Sequence, residues 1–319
     1  MDYSFWGNTS FSAFILNDLI NNGLMPKAVV TFSPKEFGRK KILQPNPVEN
    51  IAKQHKIKII YADNISNDVF LNESKTIKEY VGIIASFGKI IPPNVLKIFS
   101  KGLINVHPSL LPKYRGPSPI QSSILNNDQE TGATIFILDD KMDHGPIIGQ
   151  MSLTLNIDDD YLSLSDKLAK LGSKLIINLV PKYLNGEITI KPQEESLASY
   201  SNKFVFENCK IDWSNYSTKV YNFIRALNSE PGVFTTFIKK GKPITLKIIQ
   251  AKPIINNVLY NEIYSKHNTK PTGSIVEHQK RFFVKTFDNF IEILEVHQEG
   301  KHKMTFSDFY NGNKIDHFE

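Results

Sequence analysis

The chain has 319 residues, 41% of them hydrophobic and 22% charged, with a net charge of +6 and one cysteine, Cys209. Those totals fit a globular chain of about two domains, and they exclude an intramolecular disulfide, a Cys-x-x-Cys zinc site and a strongly polybasic tail. No stretch nears the roughly 18 consecutive apolar residues of a membrane span, and residues 1–7 lack the basic start of a secretory signal, so a cytoplasmic protein with no membrane partner and no metal is expected.

From residue 1 to about 150, short β-branched or aromatic runs alternate with amphipathic segments at the spacing of βα units. The pattern predicts strands at 3–6, 28–32, 57–61, 81–86, 103–106 and 133–138, several apolar throughout, as strands covered on both faces are. Between the first two, Phe11, Phe14, Ile15, Asp18, Leu19 and Asn22 follow helical spacing, with Ser10 as N-cap and Gly23 as stop. The expected architecture is a Rossmann-like, doubly wound α/β sheet, and such sheets bind ligands beyond the carboxyl ends of their strands. Gly7, Gly38, Gly88, Asn105 and His107 fall at or just past those ends.

A helical pattern runs from 159 to 184 through Leu162, Leu168, Leu171, Leu175, Ile176 and Leu179, with Pro181 and Gly186 ending it. The polar stretch 193–210 reads as a linker. One domain is therefore expected over 1–190, a connection over 191–210 and a second domain over 211–319. In the latter, a helix at 218–227 precedes strands at 233–238, 244–251, 273–276, 282–286 and 290–296, and Lys239-Lys240-Gly241-Lys242 makes a hairpin turn between the first two. Short strands so closely spaced predict a small OB-like β-barrel. The cationic surplus leans toward this C-terminal third, which a nucleic-acid partner and plain solubility explain about equally well.

The chemistry concentrates in two loops. Asn105-Val106-His107-Pro108-Ser109-Leu110-Leu111-Pro112 places an amide and an imidazole at the start of an irregular proline loop directly after an apolar strand, and Asp143 follows in another turn-rich stretch. An Asn, a His and an Asp from neighbouring loops are the parts needed to pass an acyl group to an amine. A carboxamide and an imidazole can both donate to a tetrahedral oxyanion. Imidazole, with an ordinary pKa of about 6.5, can also carry a proton, and a carboxylate can orient the ring or accept the amine proton. Singly, these residues read as a strand-end cap, a structural hydrogen-bonder and a turn residue; together, with their flanks, they read as catalytic. No activated Cys and no Gly-x-Ser-x-Gly elbow appears, so direct transfer without an acyl-enzyme is expected.

The flanking residues resemble the methionyl-tRNA formyltransferase family, within the wider class of enzymes that use 10-formyltetrahydrofolate. The likeness begins at Gly7 and runs through Gly-Arg-Lys-Lys at 38–41, Pro45 to Val48, 85–92, 105–121, 131–137 and Asp140 to Ile147, then returns at Ile211-Asp212-Trp213-Ser214 and Ile224-Arg225-Ala226-Leu227. It departs at Gly7-Asn8-Thr9-Ser10-Phe11, where the family usually has Gly-Thr-Pro-x-Phe, and at Ser33-Pro34-Lys35-Glu36-Phe37, one residue short of the family's loop. The resemblance implies a Rossmann-like formyltransferase domain with Asn105, His107 and Asp143 as catalytic residues, and a C-terminal OB-like domain that helps hold tRNA. The implied partners are 10-formyltetrahydrofolate as co-substrate and initiator methionyl-tRNA, with the protein acting as a monomer. For the folate, Phe87, Gly88 and Ile90, the turn Ser109, Leu110, Leu111 and Pro112, and Asp139 and Asp140 offer apolar walls and backbone groups to a flat pterin. For RNA, Arg39, Lys40 and Lys41 could meet acceptor-stem phosphates, with Lys239, Lys240 and Lys242 on the barrel hairpin as weaker candidates. The competing readings are a formyltransferase of sugar-nucleotide amines or of glycinamide ribonucleotide, a hydrolase that deformylates the folate, and an RNA-binding protein that kept the fold. The basic loop and Asp212-Trp213 argue against the sugar enzyme, and the intact trio argues against the last.

Overall fold

The apolar runs of the N-terminal half do pair into a sheet. The computed structural model describes residues 1–38, 41–78, 80–255 and 257–319, and these divide into two compact units. The first comprises Met1–Pro119, Gln129–Leu155 and Ser163–Asn202; the second comprises Ile120–Asp128, Asn156–Leu162 and Lys203–Glu319. The unit boundary thus falls after residue 202, inside the span expected to be a linker, and residues 193–201 belong to the first unit.

In chain order the first unit carries β1 (Tyr3–Trp6), α1 (Ser10–Asn21), β2 (Ala28–Thr31), β3 (Lys35–Phe37), β4 (Ile42–Gln44), α2 (Pro47–Gln54), β5 (Lys58–Tyr61), α3 (Asp68–Ser74), β6 (Val81–Ala85), α4 (Pro93–Leu96) and β7 (Leu103–His107). After α5 (Pro119–Leu125), which from Ile120 on belongs to the second unit, come β8 (Glu130–Ile137), β9 (Ile147–Thr154) and the long helix α6 (Tyr161–Leu184), in the first unit from Ser163 on. The seven-stranded sheet has the order β5-β2-β1-β6-β7-β8-β9. From β5 to β7 the pairings are parallel, whereas β8 runs antiparallel to β7 and β9 antiparallel to β8. Strands β1, β2 and β6 are buried at every residue, the condition that made them legible as unbroken apolar runs.

Several local expectations are corrected. Thr9, not Ser10, caps α1: its hydroxyl accepts from the Ser12 N–H while Ser12 reaches back to the Thr9 N–H, a reciprocal capping box. Pro181 lies inside α6 and does not end it, because a missing N–H near the last turn leaves only one carbonyl unbonded. Gly186, at φ +77°, follows the helix end. The short exposed hairpin β3–β4 and strand β9 were not expected.

Strand β7 is what the site is built on. Its side chains alternate between faces, so Val106 points to the face opposite Asn105 and His107. Helix α6 crosses the Val106 face at Gly172, where a Cβ would stand 2.5 Å from the Val106 side chain. Only glycine permits that approach. The other face starts at Leu103, in a core shared with Trp6, Phe32, Ile84, Phe87 and Phe99, and ends in Asn105 and His107.

The second unit carries α7 (Ser217–Leu227), β10 (Val233–Lys239), β11 (Lys242–Pro253), α8 (Asn257–His267), β12 (Ile275–His278), β13 (Arg281–Lys285), β14 (Phe290–Gln298), β15 (Met304–Thr305) and α9 (Phe306–Asn313). Its antiparallel sheet has the order β10-β11-β14-β13-β12, with β15 on β14. The result is an OB-like sheet curled partway to a barrel. Lys239 pairs Lys242 across the expected hairpin, with Lys240 and Gly241 both at positive φ, as a two-residue I′-type turn requires.

Candidate active site

Asn105 and His107 sit two residues apart at the carboxyl end of β7, hence on one face. The Asn105 side chain is half-buried, and among the described residues it makes no hydrogen bond. The His107 ring is nearly buried, at 4% exposure, and its Nε2 lies 2.9 Å from the Tyr114 carbonyl. A carbonyl can only accept, so Nε2 carries the hydrogen and the neutral ring has its lone pair on Nδ1. That Nδ1 lies 3.7 Å from Asp143 Oδ2, beyond a direct hydrogen bond but within reach of a charge interaction. It is therefore Tyr114, and not Asp143, that orients the ring. The same Asp143 oxygen accepts from the Gly116 N–H at 2.7 Å.

The loop carrying Tyr114 is unusually constrained. Tyr114 and Asp143 both have positive φ, 60° and 47°, conformations that need outside support in residues other than glycine. The segment 193–201 supplies it as a strap. Ser199 accepts from the Tyr114 N–H through Oγ at 2.9 Å and from the Arg115 N–H through its carbonyl at 2.8 Å. The Ser201 N–H donates to the Arg115 carbonyl at 2.7 Å. The Arg115 side chain is 1% exposed, and its guanidinium donates to Gln193 and to both carboxylate oxygens of Glu195. Tyr114 and Arg115 lie within the 105–121 segment that carries the resemblance, which gives them no role of their own, while Gln193, Ser199 and Ser201 do not stand out in the sequence. The one signal there is the run of polar residues Gln193-Glu194-Glu195-Ser196.

The Arg115 guanidinium holds the Glu195 carboxyl below the ordinary carboxylate range. A carboxyl lowered in the folded state contributes stability fully above its unfolded pKa and loses it as pH falls from there through the lowered folded value, so this tie starts to weaken once the pH drops below the ordinary carboxylate range. Replacing Arg115 by Met strands the half-buried Gln193 acceptor, at the low end of the about 1–3 kcal/mol that an unsatisfied acceptor costs. Arg115→Met is expected to lower the urea unfolding midpoint accordingly, and an unchanged midpoint would show the clamp to be energetically idle.

The residues expected to hold a folate are placed as follows. Phe87 is 3% exposed and stacked on Phe32 at 4.9 Å, so its side chain belongs to the core and only its backbone can face a ligand. Gly88, at φ +78°, turns the chain past β6, and the Ile90 side chain is 82% exposed. The Ser109 hydroxyl is committed to the Lys113 carbonyl at 2.6 Å. Thr134 and Gln150, both unforeseen, set the shape of the Ser109–Leu110–Leu111–Pro112 turn. Thr134 Oγ1 donates to the Ser109 carbonyl at 2.6 Å and accepts from the Leu111 N–H at 3.1 Å, while Gln150 donates to the Leu111 carbonyl at 2.8 Å. Asp140 is exposed, and Asp139 bonds His144 Nδ1 at 2.6 Å. Gly145 lets this loop lie against β8, since a Cβ there would stand 1.8 Å from the Ile137 carbonyl oxygen. Of the basic loop, Arg39 and Lys40 lie outside the described residues; Lys41 is exposed, with Nζ 3.5 Å from Glu36. Among the described residues no group of three His, Cys, Asp or Glu could hold a metal ion, and no helix is long and apolar enough to cross a membrane.

A free carboxamide donor, an imidazole with one nitrogen fixed and one open, and a carboxylate near the open nitrogen can receive an oxyanion and a proton together. Comparison with known proteins points to the same chemistry. Residues 4–180 match the formyl transferase family and residues 204–314 match the formyl transferase C-terminal domain. The methionyl-tRNA formyltransferase of Lactobacillus johnsonii is 35% identical over 309 residues, 97% of this chain and 94% of that protein. That of Dictyoglomus turgidum is 36% identical over 317 residues, covering 98% and 96%. Among solved structures, an N-formyltransferase from Helicobacter canadensis, in complex with folinic acid and dTDP-3-aminofucose, superposes with a TM-score of 0.65 at 22% identity, over 91% of this chain and 98% of that one. At that identity the likeness concerns the fold alone.

Proposed function

The chain belongs to the formyl transferase family, as a relative of the methionyl-tRNA formyltransferases, and from that premise we propose that it moves the formyl group of 10-formyltetrahydrofolate onto the free amine of initiator methionyl-tRNA. The amine lone pair attacks the formyl carbon, and the carbonyl oxygen becomes an anion that the Asn105 amide stabilises. His107 Nδ1 takes the proton released by the new C–N bond. The resulting imidazolium donates from Nδ1 to the oxyanion, with Asp143 balancing its charge. Collapse of the oxyanion re-forms the carbonyl and breaks the bond to the folate N10, which takes the proton from His107 Nδ1 as it leaves and returns the ring to its neutral form. The observation that carries this reading is the open Asn105 amide beside a His107 ring whose free nitrogen lies 3.7 Å from Asp143. The folate would lie against the backbone at Gly88, the Ser109 to Pro112 turn and the Asp139–Asp140 loop. Arg39, Lys40 and Lys41 would take acceptor-stem phosphates, and the protein would work as a cytoplasmic monomer.

The test offers 10-formyltetrahydrofolate with methionyl-tRNA, free methionine, an amino-sugar nucleotide or water, and follows the formyl group. Formylmethionyl-tRNA is the expected product. Formate released equally fast without tRNA, or formylation of the amino sugar in its place, would overturn the reading. In the same assay Arg39→Ala is expected to raise the KM for tRNA without changing that for folate, and to reduce the salt slope of tRNA binding by about one.

A further inference from the structure

Gln193 joins the two loops that carry the trio. Its Oε1 accepts from Arg115 Nε at 3.1 Å and Nη2 at 3.0 Å, and its Nε2 donates to the carbonyls of Asp143 at 2.8 Å and Gly145 at 2.9 Å. Every hydrogen-bonding position of one carboxamide is thus in use. Arg115 directly follows Tyr114, the residue whose carbonyl fixes His107. Gly116, the next residue along, donates to the Asp143 carboxylate. Gln193, Arg115, Gly116 and Asp143 therefore form a closed circuit of hydrogen bonds and main chain that ties the loop of Tyr114 to the loop of Asp143.

We propose that Gln193 is a positioning residue for formyl transfer, setting the separation of His107 and Asp143 while touching no reacting atom. The proposal rests on the trio acting as described above. Two features favour positioning over simple support. The carbonyl that Gln193 holds is that of Asp143 itself, whose left-handed backbone would otherwise relax and carry the carboxylate away. The other end of the same carboxamide holds the loop that aims the ring, so a shift of either loop is resisted by the other.

The test is a double-mutant cycle on the full chain, measuring kcat and both KM values for Gln193→Met, Asp143→Asn and the pair, with thermal unfolding as a check on folding. Asparagine tolerates the left-handed backbone and keeps an acceptor for Gly116, so Asp143→Asn removes charge alone. Misplacement of reacting groups by about 1 Å costs up to 10²-fold, so Gln193→Met is expected to lower kcat roughly 10- to 100-fold with both KM values within about twofold. In the Asp143→Asn background the same change should cost no more than about threefold, because residues acting through one another are not additive. Gln193→Glu keeps a partner for Arg115 and loses both donors to the Asp143 loop; it is expected to fold, with a lowered unfolding temperature, and to turn over slowly, so it carries the test if the Met variant fails to fold. Additive losses in the cycle, or a Gln193→Glu enzyme at wild-type rate, would overturn the proposal alone. An Asp143→Asn enzyme at wild-type rate would overturn the trio and this proposal with it.

Discussion

His107→Ala is expected to lower the single-turnover rate of formyl transfer by about 10³- to 10⁴-fold, the largest loss any single side chain here should produce. In the proposed mechanism the ring performs two duties at one nitrogen. Proton transfer by a positioned group contributes about 10²–10⁴ and an oxyanion donor about 10²–10³, and the two do not multiply fully because they act in one transition state. With Nε2 held by Tyr114, no rotation of a neighbour can replace Nδ1. A rate within tenfold of wild type would move the proton chemistry elsewhere. The pocket left by a nearly buried ring is small enough for folding to survive, and circular dichroism checks that it has.

Asn105→Ala is expected to lower kcat by about 10²- to 10³-fold, the usual cost of one oxyanion donor, with KM for both substrates nearly unchanged. Among the described residues the amide has no partner to strand, so truncation should remove the proposed transition-state contact and little else. Asn105→Asp should do worse, because a carboxylate of similar shape faces the developing negative charge. If Asn105→Ala raised KM and spared kcat, the amide would be binding ground-state substrate, since only contacts made in the transition state affect turnover.

The parts of the fold legible in the sequence were those where burial on both faces forced an unbroken apolar run, as in β1, β2 and β6. The parts missed obeyed other constraints. The hairpin β3–β4 buries nothing along its strands, so no hydrophobic pattern marks it. Strand β9 alternates weakly and carries a register shift beside Ile147, which breaks the period-two signal. Helices α8 and α9 are rich in Asn, Ser and Tyr, residues that favour caps and turns or lose rotamer freedom in a helix. At the site, Asn105, His107 and Asp143 announced themselves through loop composition and resemblance. The residues that hold them did not, because Arg115 and its partners Gln193 and Glu195 are far apart in sequence and the partners' polarity imitates a free connection. Polar residues spent on buried guanidinium and carbonyl groups look, in a sequence, like polar residues facing water.

The position of the strap also orders events during synthesis. Residues 193–201 are among the last of the first unit to leave a ribosome, just before the main stretch of the second begins at Lys203. A nascent chain of about 190 residues already holds its carboxamide, imidazole and carboxylate, yet lacks the segment that clamps them, and domains fold as they emerge. The spacing of that trio is thereby set only once the strap itself has emerged.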